Sequence, residues 1–268
     1  MLILFNNCSL LDTAGGVVLP ERHVLIEDGI IREVSDSPLK ASASAIAFDL
    51  AGKTLMPGLC DAHVHVTAVA PDFVRLERMA PSYIAISASK VLRGMIMRGF
   101  TTVRDAGGAD WGLAEAVREG LCEGPRILFS GHALSQTGGH GDMRSGGEDR
   151  IYPFNPPLGT LGRICDGGTE GRRAARDELR KGAHQIKVMA SGGVASPTDP
   201  VENTQFSLDE MQAIVEEAEA ANTYVMAHAY NDRSIRRALE CGVRSIEHGN
   251  LIEAGTLEML REKKAFLV

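Results

Sequence analysis

The sequence predicts an α/β protein in which helices cover a parallel β-sheet, preceded by a smaller β unit. Residues 1–56 contain short strand-like runs with tight turns, whereas strand-like runs and helical patterns alternate from residue 59 onwards. Such alternation is typical of a doubly wound sheet or of a (β/α)8 barrel. No glycine-rich phosphate loop follows the first strand of the alternating region, which disfavours the dinucleotide-binding form of the doubly wound fold.

The N-terminal unit is predicted from its turns. Residues 24–34 form two strand-like runs around Asp28 and Gly29, and an Asp-Gly pair in this position indicates a two-residue hairpin turn. A further turn is expected at residues 51–53, where the sequence is Ala-Gly-Lys. We therefore expect a small β domain at residues 1–56, distinct from a larger domain at residues 57–268.

The larger domain contains apolar runs separated by helical patterns. Strands are expected at residues 59–66, 100–104, 126–131, 185–190, 224–229, 243–248 and 265–268. Helices are expected at residues 82–98, 110–122, 169–181, 207–221, 231–241 and 255–264. The clearest helix start is a capping box, with Ser207 as N-cap and Glu210 three residues later. One long irregular segment, residues 138–168, is rich in Gly and Pro, and loops of this length are commonly lids or binding loops.

The last apolar run, residues 265–268, looks like the start of a seventh strand. A barrel needs eight strands, and an unpaired sheet edge promotes association with other chains. We therefore expect the sequence to be a fragment of a longer polypeptide, truncated after the start of strand seven.

Composition excludes several classes of protein. With 44% hydrophobic and 24% charged residues, the chain is typical of a globular protein. Its formal net charge of −7 and the lack of basic runs disfavour nucleic acid as a partner, and no apolar stretch approaches the ~20 residues of a membrane span. The N-terminus lacks the basic and apolar regions of a signal peptide. Five scattered cysteines without CxxC spacing predict free thiols and a cytoplasmic location.

Polar side chains occupy or follow the ends of four apolar runs. His63 and His65 are two residues apart on the first strand, so their imidazole rings project from the same face. Lys187 lies inside the fourth run, and His228 and His248 lie near the ends of the fifth and sixth. Catalytic residues of α/β barrels gather at these strand ends, and imidazole is the usual protein ligand of zinc and similar ions. For the HxH pair alone, two solvent-facing histidines remain an alternative.

Lys187 is informative because burying an ammonium group is costly. Loss of solvation lowers the pKa of a lysine, so that the neutral amine becomes accessible. A neutral amine can add carbon dioxide to give a carbamate, an anionic oxygen ligand that can bridge two metal ions. The alternative is a lysine whose charge is neutralised by a carboxylate inside the barrel.

These motifs, in this order, resemble the amidohydrolase superfamily. The resemblance extends over residues 1–268 and rests on Met56-Pro57-Gly58, on Asp61-Ala62-His63-Val64-His65, and then on Lys187, His228 and His248. It implies a distorted (β/α)8 TIM-like barrel beside a small β-sandwich. Residues 1–56 would form the N-terminal part of that sandwich, and its C-terminal part is absent from this sequence.

The resemblance also implies two divalent metal ions, usually zinc. His63 and His65 would hold one ion and His228 and His248 the other, with carboxylated Lys187 and a hydroxide bridging them. The last ligand of the family, an aspartate at the end of strand eight, has no counterpart in this sequence. By the same resemblance, that aspartate would take the proton of the hydroxide and pass it to the leaving amine.

Four further motifs resemble the prolidase and imidazolonepropionase-like branch of the superfamily, whose prolidases cleave Xaa-Pro dipeptides. They are Arg104-Asp105-Ala106-Gly107-Gly108, Gly138-Gly139-His140-Gly141, Met189-Ala190-Ser191-Gly192-Gly193 and His228-Ala229-Tyr230. The resemblance implies that His140 and Tyr230 hydrogen-bond the scissile carbonyl group or its tetrahedral oxyanion. Donors aimed at developing charge in a dry site lower the barrier.

The predicted activity is therefore metal-dependent hydrolysis of a carbon–nitrogen bond by an Xaa-Pro dipeptidase. The alternatives are a cyclic-amide hydrolase of imidazolonepropionase or hydantoinase type, and an inactive or structural fragment that lacks the strand-eight aspartate. The expected partner is a small-molecule substrate, with no nucleic acid and no membrane, and the protein is expected to be a homo-oligomer.

Substrate recognition and the remaining histidines give secondary predictions. A dipeptidase must recognise a free carboxylate, and Arg144 and Arg150 in the irregular segment suit that role, with solvated surface charges as the alternative. His132 and His184 are interpreted as structural and His23 as a surface residue of the β unit.

Overall fold

A computed structural model describes residues 1–268 and divides them into two compact units. The first unit is Met1–Gly58 and the second is Leu59–Val268. The division falls at residue 58, close to the boundary at residue 56 expected from the change in sequence pattern.

The N-terminal unit is a five-stranded sheet. Its strands are β1 (Leu2–Asp12), β2 (Val17–Glu27), β3 (Ile30–Ser35), β4 (Ile46–Asp49) and β5 (Thr54–Leu55). The order is β3-β2-β1-β4, and β5 also pairs with β1. The predicted hairpin turn is confirmed, because Asp28 and Gly29 both have positive φ angles, 50° and 79°, between β2 and β3.

The interpretation of His23 as a surface residue is wrong. Its side chain is buried in the N-terminal unit, with only 7% of the residue exposed. Nδ1 of His23 lies 2.9 Å from Oδ1 of Asn6 on the neighbouring strand, and this hydrogen bond compensates the ring for its lost hydration.

The strands of the second unit form two parallel sheets. The three-stranded sheet contains β6 (Leu59–Val64), β7 (Phe100–Asp105) and β8 (Arg126–Phe129). The six-stranded sheet, in the order β10-β9-β11-β12-β13-β14, contains β9 (Ala133–Ser135), β10 (Gly162–Ile164), β11 (Ile186–Met189), β12 (Val225–Asn231), β13 (Ser245–Leu251) and β14 (Phe266–Leu267). Strand pairing does not join the two sheets into one closed barrel, so the eight-stranded barrel stays a prediction.

Seven helices accompany these strands. They are α1 (Phe73–Leu76), α2 (Pro81–Met97), α3 (Trp111–Arg118), α4 (Gly167–Arg180), α5 (Leu208–Ala220), α6 (Asp232–Glu240) and α7 (Ala254–Glu262). The predicted capping box at the start of α5 is confirmed, because the backbone N–H of Ser207 donates to Oε2 of Glu210 at 2.7 Å. None of the helices is both long and apolar enough to cross a bilayer.

Three short elements were not predicted: α1, β9 and β10. The segment 138–168, expected to be irregular throughout, contains β10 and the first residues of α4. A strand of three residues shows at most one alternation of polar and apolar side chains, so its periodicity cannot be recognised in the sequence.

The main core lies between the six-stranded sheet and the helices α4, α5 and α6. Ile186 and Val188 of β11 are fully buried in it, on either side of Lys187 in the sequence. Helix α4 approaches α5 closely at Gly171, where a Cβ atom would lie 3.2 Å from Cγ1 of Ile214. This packing fixes β11 and β12, the strands that carry two of the predicted metal ligands, in a rigid framework.

A buried ion network joins β10 to α4. Arg163 is 1% exposed, and its Nη1 atom donates to Asp177 at 2.9 Å and to Glu178 at 2.8 Å. Lys181 adds a further ion pair to Asp177 at 2.8 Å. Burial alone would raise the pKa of Asp177, but its hydrogen bonds from Lys181, Arg163 and Arg180 outweigh burial and lower the pKa.

We expect Asp177→Asn to reduce the free energy of unfolding at neutral pH. The folded-state pKa of Asp177 lies below its unfolded value of about 3.9, so the stabilisation is complete above about pH 4 and is lost as the pH falls further. Urea unfolding at neutral and acidic pH should therefore show a difference between variant and parent that shrinks in acid. Glu262→Gln, on the exposed end of α7, is the control. If the difference in unfolding free energy between variant and parent were independent of pH, the ion pairs of Asp177 would not be its cause.

Candidate active site

One pocket of about 220 Å³ collects every predicted metal-binding and catalytic residue. The side chains come from or just after β6, β11, β12 and β13, together with one residue of the segment 138–168. They are His63, His65, Lys187, His228, His248, His140 and Tyr230. The rest of the lining is mostly apolar, namely Phe73, Met143, Leu161, Met189, Val194 and Ala195.

The four histidines of the predicted metal site form a continuous group of rings. The ring centroid of His63 lies 5.3 Å from that of His65 and 4.8 Å from that of His248. The centroid of His228 also lies 4.8 Å from that of His248. His63 and His228, which are far apart in the sequence, therefore face the same space.

The backbone in the middle of β13 is strained at His248. This residue has a φ angle of 75°, in the left-handed region that non-glycine residues seldom adopt. Its N–H still donates to the carbonyl oxygen of Val268 at 2.8 Å. Such strain persists only where surrounding structure enforces it, and it clusters at functional sites.

Hydrogen bonds indicate which ring nitrogens are free to bind a metal. Nδ1 of His65 lies 2.9 Å from the carbonyl oxygen of Gly107, and Nε2 of His228 lies 3.1 Å from that of Gly192. A carbonyl oxygen only accepts, so these two nitrogens carry the protons in the neutral rings. The lone pairs of His65 and His228 are then on Nε2 and Nδ1, respectively. Burial lowers the pKa of His65 to about 3 and also lowers that of His228, which favours the neutral rings.

His63 and His248 are also held in the neutral form by burial. Burial lowers the pKa of His63, although its hydrogen bond to Glu247 opposes the shift. Burial lowers the pKa of His248 to about 4. Metal binding requires neutral imidazole, so the pocket favours the protonation state that a metal site needs.

Lys187 is 1% exposed and takes part in no salt bridge or hydrogen bond. Burial lowers the pKa of its amine to about 8. The two carboxylates that act on its charge are already bonded elsewhere, Glu247 to His63 and Arg104, and Asp105 to backbone amides. The alternative expected from the sequence, a lysine neutralised by direct contact with a carboxylate, is therefore not observed.

The donors fit a pair of metal ions in their chemistry. Imidazole nitrogens with free lone pairs and a buried amine without a partner suit zinc and similar ions. No group of three or more His, Cys, Asp or Glu side chains is arranged to hold an ion by itself.

His140 reaches the pocket from the segment 138–168 and stacks on His228, with ring centroids 4.2 Å apart. Its Nδ1 atom lies 3.0 Å from Oγ of Ser196, and its backbone N–H donates to Oε1 of Gln205 at 3.0 Å. Glycine at position 193 lets the ring of His140 occupy this position, because a Cβ atom there would lie 2.1 Å from Cε1 of His140. Burial lowers the pKa of His140 to about 4.

Tyr230 stands beside the histidines at the end of β12. Its ring centroid lies 4.7 Å from that of His228 and 5.1 Å from that of His248. The backbone N–H of Tyr230 donates to Oγ of Ser191 at 2.9 Å, whereas its phenol hydroxyl has no partner within the protein. The hydroxyl is therefore available to a molecule in the pocket.

Arg144 and Arg150 are not brought to the pocket. The guanidinium group of Arg144 is paired with Asp142 at 2.6 Å and that of Arg150 with Glu77 at 2.6 Å. A substrate carboxylate would have to compete with these partners. The guanidinium groups of Arg144 and Arg150, which the sequence suggested as binding groups for the substrate carboxylate, are therefore not free in the structure.

His132 and His184 also lie away from the pocket. Nδ1 of His132 lies 3.3 Å from Glu178, and Nδ1 of His184 accepts the backbone N–H of Phe129 at 3.3 Å. These contacts agree with their interpretation as structural residues.

Three residues beside the site were given no role from the sequence: Glu247, and Arg104 and Asp105, which were noted only as part of a motif. Asp105 is fully buried and accepts the backbone N–H groups of Val66, at 2.8 Å, and Gly107, at 3.0 Å. Burial raises its pKa to about 7. A charged residue inside an apolar run, as in Ser245-Ile246-Glu247-His248, was the available signal for Glu247.

The arrangement of histidines and a buried lysine on or just after parallel strands around one pocket defines a class of protein. Residues 54–267 match the amidohydrolase family, and the chain belongs to that family. The resemblance to the prolidase-like branch of the superfamily is confirmed by its structural relatives.

Two solved structures and a curated relative illustrate the similarity. The crystal structure of a prolidase complexed with N-methylphosphonate-L-proline is 50% identical, has a TM-score of 0.97, and is matched over 100% of this chain and 65% of that chain. An Xaa-Pro dipeptidase with bound methionine is 28% identical, with a TM-score of 0.87 over 100% of this chain and 66% of the other. Ochratoxinase from Aspergillus niger is 35% identical over 268 residues, 95% of this chain and 56% of the relative. The chain thus spans about half the length of that curated relative.

Proposed function

We propose that this protein is a metal-dependent hydrolase of amide bonds, with Xaa-Pro dipeptides as its substrates. The observation that supports the proposal is the convergence of four histidines and a partnerless buried lysine on one pocket. The similarity to a prolidase bound to a proline phosphonate favours the dipeptide over other amides.

Two divalent ions would be held in this pocket. His63 and His65 would bind one ion and His228 and His248 the other, with Lys187, as its carbamate, shared between them. The ions would supply Lewis-acid activation of water and of the scissile carbonyl group. The pocket contributes by keeping the histidines neutral and by excluding bulk water from the lysine amine.

His140 and Tyr230 would bind the carbonyl oxygen of the substrate. The phenol hydroxyl of Tyr230 is unpaired. Nε2 of His140 donates to the substrate in the tautomer in which Nδ1 accepts the hydroxyl hydrogen of Ser196. Hydrogen bonds that strengthen as the carbonyl oxygen becomes an oxyanion stabilise the transition state more than the ground state.

A second candidate function is hydrolysis of a different amide, of the kind cleaved by an ochratoxinase. The 35% identity to ochratoxinase favours it, and the apolar lining of the pocket can accept an apolar acyl group. The cyclic amides considered from the sequence have no comparable support.

Turnover with matched substrates tests the proposal. The protein is treated with a chelator, reloaded with Zn²⁺, and assayed on Xaa-Pro dipeptides, ochratoxin and hydantoins. We expect chelation to abolish activity, zinc to restore it, and Xaa-Pro dipeptides to have the highest kcat/KM. Full activity in the chelated protein would refute the metal site, whereas preference for ochratoxin would establish the second candidate.

The role of the two arginines gives a separate prediction. We expect Arg144→Met and Arg150→Met to reduce kcat/KM by the same factor on a dipeptide and on its C-terminal amide, because both guanidinium groups support the loop through Asp142 and Glu77. Metal content should not change. A loss confined to the free carboxylate substrate would instead show that one arginine leaves its partner to bind the substrate.

A further inference from the structure

We infer that Glu247 is a positioning residue that fixes His63 in one tautomer and one orientation towards the pocket. The inference rests on the proposed metal-binding function of the site. It concerns the contact between Nδ1 of His63 and Glu247, a residue that does not line the pocket.

The carboxylate of Glu247 is completely buried, and each of its two oxygens has its own hydrogen-bond partners. Oε2 lies 2.7 Å from Nδ1 of His63. Oε1 accepts from Nη2 of Arg104 at 2.9 Å and from Oγ of Ser245 at 2.6 Å. Of the two carboxylate oxygens of Glu247, Arg104 bonds only to Oε1. The carboxylate therefore cannot rotate without breaking these bonds, and Oε2 stays directed at His63.

A carboxylate at this position determines where the proton of His63 resides. An ionised carboxylate only accepts, so Nδ1 of His63 must donate and Nε2 must carry the lone pair. Nδ1 is bonded to Glu247, which does not line the pocket, and this leaves Nε2 as the nitrogen available to a metal ion. Carboxylate partners of this kind also make the imidazole a stronger donor to a metal ion.

Arg104 connects this pair to the strand that carries His63. Its Nε atom donates to the carbonyl oxygen of Ala62 at 2.7 Å, and its Nη1 atom donates to the hydroxyl of Tyr224 at 3.1 Å. The same guanidinium group thus holds the backbone next to His63 and the carboxylate behind its ring. The guanidinium group also neutralises the negative charge of Glu247, because a buried carboxylate needs an oppositely charged partner.

The protein contains a second buried pair of the same composition, which serves as a matched control. Glu178 lies 3.3 Å from Nδ1 of His132 and accepts from Arg163 at 2.8 Å. His132 does not line the site pocket, and its Nε2 atom is buried without a partner. Substituting Glu178 removes a buried Glu–His–Arg contact without touching the predicted metal site.

Glu247→Gln should reverse the tautomer of His63. Arg104 can only donate, so the carbonyl oxygen of the glutamine must face Arg104 and its NH₂ group must face His63. Nδ1 then becomes the acceptor, and Nε2 carries a proton into the pocket. We expect zinc affinity to fall by about 10- to 100-fold, as for loss of other partners of metal-bound histidines. Glu178→Gln should leave zinc affinity unchanged.

Two measurements test whether Glu247 sets the tautomer of His63 and supports zinc binding. The ¹⁵N shifts of the His63 ring in metal-free protein, assigned by comparison with His63→Asn, report the tautomer. Competition with a chromophoric chelator reports the affinity for Zn²⁺. Wild-type protein should show a protonated Nδ1, and Glu247→Gln a protonated Nε2 together with weaker zinc binding. Glu247→Asp retains the charge opposite Arg104 but is one methylene shorter, so it should fold if the glutamine variant does not, and should also bind zinc more weakly.

The outcomes separate this inference from the proposed function. If wild-type protein binds no zinc, the proposed metal site fails, while the ring shifts still show whether Glu247 sets the tautomer. If wild-type protein binds zinc and both Glu247 variants bind it equally well, the metal site stands and the positioning role is overturned. An unchanged His63 tautomer in Glu247→Gln would overturn it as well.

Discussion

Lys187→Ala is expected to lose at least one of two bound metal ions and to lower kcat by about 10²–10³-fold or more, since Lewis-acid activation contributes several kcal/mol to such reactions. The physical reason is the setting of the side chain. Lys187 is 1% exposed without a partner, and burial lowers the pKa of its amine to about 8. Alanine removes the amine that, as its carbamate, is proposed to supply an anionic oxygen to both ions.

Metal analysis and turnover on an Xaa-Pro dipeptide would be measured together for this variant. Added bicarbonate should not restore activity, because alanine has no amine to carboxylate. Lys90→Ala, at an exposed position of α2, is the control and should retain metal and turnover. A Lys187→Ala protein with full metal content and normal kcat would refute the carbamate.

Loss of the proposed carbonyl-oxygen donors should have the second large effect. We expect Tyr230→Phe and His140→Ala each to lower kcat by about 10²–10³-fold, the usual result of removing one donor to an oxyanion. Tyr230→Phe removes only the unpaired hydroxyl and keeps the ring against His248. Because neither residue is a proposed metal ligand, metal content should stay at the wild-type value.

Steady-state kinetics and metal analysis check this expectation. KM should change much less than kcat, because the hydrogen bonds strengthen mainly in the transition state. Tyr83→Phe, at an exposed position of α2, should behave as wild type. If Tyr230→Phe raised KM with kcat intact, the hydroxyl would bind the substrate uniformly and would have no role in the chemical step.

Much of the fold could be predicted because the relevant signals are local. Alternating apolar runs and helical patterns located β6, β7, β11, β12 and β13, and the Ser207–Glu210 pair located the start of α5. The misses were elements of three or four residues, which are too short to show a period, and His23, whose burial depends on its neighbour Asn6. Whether the two parallel sheets belong to a closed barrel depends on strand pairing, which periodicity does not report.

The sequence alone determined which residue types could gather at the site, since residue types and their order along strands are properties of the chain. It named His63, His65, Lys187, His228 and His248, and the structure collects all five around one pocket. Their roles as metal ligands stay a prediction.

Only the tertiary structure decided how those residues are held. Glu247 lies 184 residues from His63 in the sequence, yet its carboxylate bonds to the ring of His63 at 2.7 Å. The same folding pairs Arg144 with Asp142 and Arg150 with Glu77, which no spacing in the sequence indicated. The physical reason is that a hydrogen bond or an ion pair depends on distances of about 3 Å between atoms, and the packing of the whole chain sets those distances.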